Sequence, residues 1–541
     1  MTTADAQIRQ SALAREHAES DAARNPLFGQ WLAHGFAGAV ALWAVWFITH
    51  LPAVRLAPSV AGPILLATLA LVLAMGVRGC GAQRGWRIGI GAGLVAALVN
   101  LLILGSKLAE QPSGLAEAEA IGRLRPGAGL AALGFLALSG AIGAAAGAVG
   151  GSIRTRRDTS PLTPALATGR HDRWLARLAL VAAIAVAPLL LIGGLVTSTD
   201  SGMAVPDWPG TYGANMFLYP IALMADQRIF LEHTHRLFGS LVGLAMLTLF
   251  VSTLAVRPKG WIRAIGGVVV LVAIGLASLA AHLGASLSAG ALFPILVALA
   301  LIASAWLVVS FLRDRAGEAA GALGVLVALQ GIAGGVRVTE NALGYALLHG
   351  VGGQTVFALA VTVAAMLSLA FVRTDEAITD RQRTIARRAR TLAIVALACL
   401  FIQLIFGATY RHLGASHALW SHVLFAFVVV VLAGIAGAAG TKRDEQDRQP
   451  PTAPARWLRR FGMTAMIVVA IQFILGWATL GVVAMREDRG PIPTADMLAD
   501  APPVPILEAL VTTSHQATGA LLLAAVTLTA VWGHRLARAP R

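Results

Sequence analysis

The stretch Leu231-Glu232-His233-Thr234-His235-Arg236-Leu237-Phe238-Gly239 opens a long apolar run and puts a carboxylate, two imidazoles and a guanidinium at its polar end. On a helix Glu232 and His235 are three apart and share a face. Ionisable groups are costly in hydrocarbon, so such a cluster marks a functional site unless something plainer explains it. The plainer reading is an interfacial cap, with Arg and His reaching headgroups and Glu favouring a helix N-terminus. Recurrence argues against it: similar histidines return three more times.

The run after Gly239 is one of many. The chain has 541 residues, 57% hydrophobic and 13% charged, with mean hydropathy +0.73; a soluble domain carries about 25% charged residues. Apolar runs of about 20 residues, each enough to span a bilayer, give fourteen candidate spans: 31–51, 57–78, 86–107, 127–150, 173–197, 235–256, 262–284, 289–312, 318–338, 345–372, 387–408, 418–440, 456–482 and 508–532. This is the pattern of an all-α polytopic membrane protein. Arg and Lys gather in the connections after even-numbered spans: Arg154 to Arg170, Arg257-Pro-Lys259, Arg313-Asp-Arg315, Arg381 to Arg390 and Lys442 to Arg460. The positive-inside rule then places both termini in the cytoplasm. It also accounts for the net charge of +15 without a nucleic-acid partner. Cys80 and Cys399 form neither a CxxC nor a zinc-finger spacing, and the polar first 30 residues do not read as a cleavable signal peptide.

Residues 151–172, basic and containing Pro161 and Pro164, read as a cytoplasmic linker between a four-span block (1–150) and the rest. In that block Gly140, Gly143, Gly147 and Gly150 suit close helix packing. His34 and His50 lack a partner motif and fit packing or interfacial roles.

Beyond the linker the chain repeats itself. Four spans end in Leu191-Ile-Gly-Gly194, Gln330-Gly-Ile-Ala-Gly334, Gln403-Leu-Ile-Phe-Gly407 and Gln472-Phe-Ile-Leu-Gly476, each before an outward loop. After each loop the next helix opens with a histidine: His235, His349, His422 and His515. Residues 173–372 and 387–541 therefore read as two tandem halves in the same orientation, related by a pseudo-twofold axis along the membrane normal. The first half carries a surplus pair of spans, 262–284 and 289–312.

Two histidines at one depth on facing helices suit the axial positions of a haem iron. Zinc favours four clustered ligands, which these histidines do not offer. A proton relay of Glu and His remains open. His412 and His417 lie on the loop before His422 and are expected to face water. His233 falls on a different face from His235 and is secondary.

The run Gly193-Gly-Leu-Val-Thr-Ser-Thr-Asp-Ser-Gly-Met-Ala-Val-Pro-Asp-Trp-Pro209, followed by Glu232-x-x-His-Arg236, resembles the heme A synthase family. So do Gln330-Gly-Ile-Ala-Gly-Gly-Val-Arg-Val-Thr339 before His349, Gln403 to Arg411-His412 before His422, and Thr513-Ser-His-Gln-Ala-Thr-Gly-Ala520. The likeness covers about 173–532. It implies two tandem pseudo-symmetric four-helix bundles that oxidise the haem O methyl group to the formyl group of haem A for terminal oxidases. The N-terminal four-helix block and the inserted helix pair are additions to that core. By motif, His235 and His349 would flank the substrate haem O, and His422 and His515 would ligate a resident haem b. Glu232 matches the family's essential carboxylate. Arg236, Arg337 and Arg411 are candidates to pair with haem propionates, or else with lipid headgroups. The implied partners are the farnesylating synthase that makes haem O, an electron-transfer partner and the lipid bilayer; a homo-oligomer is compatible with all of this. The haem sites would lie towards the outer face of a bacterial-type plasma membrane.

Three departures qualify the likeness. Some relatives carry a cysteine pair in an outward loop, and this chain has none there. The second half lacks an Arg after His422 and has Leu419 where the first half has Glu232, as expected of one reactive and one electron-transferring half. The N-terminal block and the surplus pair fall outside the family core, which leaves room for a modified partner or substrate. The long segments 198–231 and 485–507 are placed to cover the two sites from outside. The rival readings are a non-catalytic dihaem b electron carrier, which would not need Glu232, and a transporter, which would bind no haem.

Overall fold

The computed structural model describes residues 26–111, 122–153, 173–256, 289–372, 378–442, 452–485 and 493–538. Among them thirteen helices are long and apolar enough to cross a membrane. They are α1 Leu27–His50, α2 Pro58–Gly76, α3 Ala82–Ile103, α4 Ala128–Ser152, α5 Arg173–Ser198, α6 Gln227–Ala255 and α7 Ala289–Leu312. Then come α8 Ala316–Glu340, α9 Leu343–Met366, α10 Asp380–Leu413, α11 Ser416–Thr441, α12 Ala453–Ala484 and α13 Ile506–Ala537. The protein is an all-α integral membrane protein. The expected span 262–284 and most of the linker 151–172 lie outside the described residues.

Several helices start earlier than the apolar runs do. α6 begins at Gln227, where Asp226 caps it by accepting from the backbone N–H groups of Arg228 and Ile229. Hydropathy marks where the chain turns apolar, whereas the cap sets where the backbone turns helical. The four histidines consequently sit roughly two turns inside α6, α9, α11 and α13 rather than at their first residues. The span expected over 345–372 divides into α9 and a separate turn at Leu369–Val372.

Two rings of four helices organise the core. α5, α6, α8 and α9 each pack on the next, and α9 closes back on α5; α10 to α13 repeat the arrangement. Contacts of α5 with α13, α9 with α13 and α9 with α10 join the rings. That set is unchanged when the halves are exchanged, as a pseudo-twofold relation requires. α7 packs outside the first ring, on α8 and α9.

The N-terminal block is built on small residues. A Cβ at Gly85, Gly89, Gly143 or Gly147 would overlap a carbonyl oxygen of the facing helix, so the α3 and α4 backbones touch. Gly150 likewise meets Ala74 of α2, and Gly140 rests on Leu94. α1 then docks the block on the first ring. Trp43 stacks on Phe238 at 3.9 Å, and Trp46 and Phe47 lie 6.0 and 5.7 Å from Phe230. His34 contacts Arg177 at 3.0 Å, and His50 Nδ1 lies 2.9 Å from the Trp46 carbonyl. Both serve packing, and the block braces the back of the helix that carries Glu232 and His235.

Candidate functional site: two facing histidine pairs

The rings each bring two of the recurrent histidines together. His235 of α6 faces His349 of α9 with ring centroids 6.1 Å apart, and His422 of α11 faces His515 of α13 at the same 6.1 Å. A metal about 2 Å from each of two imidazole nitrogens sets ring centroids about 6 Å apart. The pairs thus have the spacing of two axial ligands on one ion.

Each imidazole is set by the helix that precedes its own. A Cβ at Gly193, Gly334, Gly407 or Gly476 would lie 2.9, 2.9, 2.8 or 3.3 Å from the ring of His235, His349, His422 or His515. The glycines therefore let each ring lie flat on a neighbouring backbone. In the first repeat the contact falls on Gly193, not on Gly194, which instead faces Thr513 and Gln516 of α13. The residue four before each glycine supplies the second constraint. His349 Nδ1 donates to the Gln330 carbonyl at 3.0 Å, and His422 Nδ1 to the Gln403 carbonyl at 2.9 Å. A ring that donates through Nδ1 keeps Nε2 unprotonated and able to bind a metal. The Gln472 amide lies 3.2 Å from His515 Nδ1; with its oxygen turned to the ring it accepts from Nδ1 in the same way. Leu189 takes this register in the first repeat, and its carbonyl neighbours His235. That contact falls outside hydrogen-bond geometry, so among the described residues the buried His235 Nδ1 has no hydrogen-bond partner.

Small residues complete the cradle. Gly239, Gly353, Ala426 and Gly519 stand four after the four histidines, and all line the same cavity. Helical side chains tilt towards the N-terminus, so a bulky residue at these positions would fill the space beside the imidazole. The signal was present in the sequence as a small residue one turn past each histidine. It lacks meaning until the histidines are known to face each other.

One cavity of about 780 Å³ joins the two pairs. The loop between α5 and α6 closes its mouth over the first pair, with Trp208, Pro209 and Met216 in its wall. Glu232 and Arg236 hold that loop. Glu232 is 3% exposed and accepts from the Val205 N–H at 2.7 Å and from Arg236 Nη2 at 2.7 Å. Arg236 also donates to the carbonyls of Asp207, Gly210 and Val205 at 2.6, 3.2 and 2.9 Å. Most of its donors are therefore committed to the loop. Arg337 lines the cavity against Gly202, with no hydrogen bond among the described residues. Arg411 lines it as well and reaches across to the Thr197 carbonyl at 2.5 Å.

One histidine differs from expectation. His412, expected in water, sits on the last turn of α10, half-buried beside Gly350, and lines the cavity. A helix that runs on to Leu413 carries it inwards. His233 lies on another face of α6, as expected, but is fully buried, with Nδ1 3.1 Å from Thr211 Oγ1. His417 is exposed. The loop after α12 does not stay over its own half: Arg228 of α6 donates to the Pro502 carbonyl at 2.5 Å.

No family model, curated protein or solved structure matches the chain.

Proposed function

We propose that the chain is a membrane haem oxidoreductase of the heme A synthase kind, taking haem O at the His235–His349 pair and keeping haem b at the His422–His515 pair. The observation that carries this is the pair of equal 6.1 Å histidine separations, each on a glycine cradle and both opening on one cavity. When bound, the haem supplies the oxidative chemistry that turns a methyl group into a formyl group. The residues bind and position it: four imidazoles offer Nε2, and Arg337 and Arg411 offer guanidinium groups at the mouth for propionates. Trp208 and Pro209 exclude water above the first pair. Glu232, tied to Val205 and Arg236, holds that lid and puts a carboxylate at the edge of the first site alone, where it can accept a proton from substrate. Its absence from the second half favours catalysis over the simple dihaem carrier. On this reading both termini are cytoplasmic and the sites lie near the outer face.

The purified protein should show a Soret band and release protohaem on extraction; expression with ample haem and no such band overturns the proposal. Glu232→Gln keeps an oxygen for the Val205 N–H but no charge. It should retain haem and lose haem O conversion by about 10²-fold or more in a host without its own enzyme. Full conversion by this variant would leave Glu232 with the lid alone.

A further inference from the structure

Polar groups also gather at the end of the bundle away from the histidine pairs. From His515 to His534 α13 runs about 28 Å along its axis. A hydrocarbon core is about 30 Å thick, so His534 stands at the opposite membrane face. There its ring packs on Phe311 of α7, with centroids 4.9 Å apart. Arg535 lies over the Phe371 ring and donates Nε to the Phe371 carbonyl. Arg538 donates to the Leu312 carbonyl at 2.7 Å, and Arg390 of α10 rests against Gly533. Phe371, Trp532 and Trp457 form an aromatic row behind them, with successive centroids 5.5 and 6.0 Å apart, as a membrane interface favours. The charges facing His534 are Arg390, Arg535 and Arg538 against Asp314 alone, so guanidinium groups outnumber carboxylates among the described residues. His534 is 6% exposed, and its Nε2 has no hydrogen-bond partner among the described residues; neither has Ser310 Oγ, buried next to Phe311. A buried polar atom left unpaired is costly. Leu312 and Arg538 beside them are exposed, so the cluster opens to the membrane surface.

The geometry points to a binding site for the anionic headgroup of a membrane phospholipid, in the seam where α7, α10 and α13 meet. His534, Arg535 and Arg538 share a face of α13 by their three- and four-residue spacing. Guanidinium groups hold phosphoryl oxygens in bidentate pairs, and an imidazole Nε2–H donates to a further oxygen. The acyl chains then lie on α7, whose Leu301, Val308 and Leu312 are exposed. Positive-inside patterning explains basic residues in loops, but not a buried imidazole among three guanidinium groups on packed helices. Basic pockets between membrane helices on the cytoplasmic side are where phosphoryl headgroups bind. Arg535 reaches the end of the first half at Phe371, and Arg538 the end of α7 at Leu312. A headgroup on both arginines therefore ties those ends to the last helix of the second half. The site is independent of the haem reading.

The test uses the full chain, stripped of lipid in a neutral detergent, with thermal unfolding followed as lipid is added. Phosphatidylglycerol should raise the melting temperature to a plateau; phosphatidylcholine with the same acyl chains, or inorganic phosphate, should not. Arg538→Gln should raise the half-saturating concentration of phosphatidylglycerol about tenfold. Arg78→Gln, which removes an exposed cation at the same membrane face, should leave it unchanged. Equal weakening in both variants overturns the site in favour of general surface charge. An equal rise with inorganic phosphate overturns lipid as the occupant. No response of the unaltered protein to phosphatidylglycerol overturns the proposal and turns attention to Asp375 and Glu376 as counter-charges, which lie outside the described residues. Should Arg538→Gln not fold, His534→Phe, which keeps a ring against Phe311, decides, and an unchanged half-saturating concentration there refutes the site.

Discussion

Asp207 winds the lid of the first site on its own carboxylate, which accepts from the Tyr212 and Gly213 N–H groups at 2.7 and 2.9 Å. Tyr212 then donates its hydroxyl to the Ala204 carbonyl at 2.5 Å. Burial, reinforced by the carboxylates of Glu232, Asp226 and Asp207, pushes the Tyr212 phenol up to about 12. An unfolded tyrosine ionises near 10. The hydroxyl's contribution to the lid is therefore complete below about pH 10 and is lost as pH rises through about 12. A phenolate absorbance titration of the protein's four tyrosines should show a late step near that pH, accompanied by a change in Trp208 fluorescence. Tyr212→Phe should remove both; their persistence would assign them to another group. The opening motif marked its carboxylate and guanidinium as polar groups in an apolar run, but it joined Glu232 to His235 and assigned Arg236 to propionates or headgroups, so the ion pair between them was not foreseen. Nor was their engagement with Val205, Asp207 and Gly210, because it joins a helix to a loop through backbone atoms that carry no sequence signal.

Helix contacts in the N-terminal block follow glycine spacing closely. Gly85, Gly89 and Gly93 of α3 lie one turn apart and meet Gly147, Gly143 and Ser139 of α4. In a bilayer no hydrophobic force drives two helices together, so close backbone approach and the dispersion it allows hold such a pair. Gly89→Leu should lower the melting temperature in detergent clearly, costing more than the about 1–3 kcal/mol of ordinary overpacking, since the obstacle is a backbone carbonyl. Gly134→Leu, where a Cβ meets nothing within 4 Å, should leave it unchanged. Equal melting of the two variants would show that the close approach adds no stability. The glycine pattern of α4 was readable in advance because the i, i+4 period of a helix is local. Helix starts were misread by up to two turns at α6, because caps and polar first turns are invisible to hydropathy.

At the scale of the molecule, the N-terminal block and the first ring form one body through the Trp43–Phe238 stack. Trp43 is fully buried, and removing a buried Trp side chain costs about 3–5 kcal/mol. On the haem reading proposed above, Trp43→Ala should weaken the first site before the second: on heating, haem at the His235–His349 pair should be lost while haem at the second pair remains bound. Simultaneous loss, at the temperature of the unaltered protein, would show that the block does not brace α6. Among the described residues the second ring has no such brace, and it packs on its own helices and on α5 and α9.

The sequence by itself determined the membrane class, the tandem repeat and the four recurring histidines. Those depend on composition and on local periods that any 20-residue window exposes. Which histidines meet, that Gly193 rather than Gly194 faces His235, and that His412 turns into the cavity were decided only by tertiary structure. They are distances between residues far apart along the chain, set when eight helices close into two rings, and no local pattern encodes a ring closure.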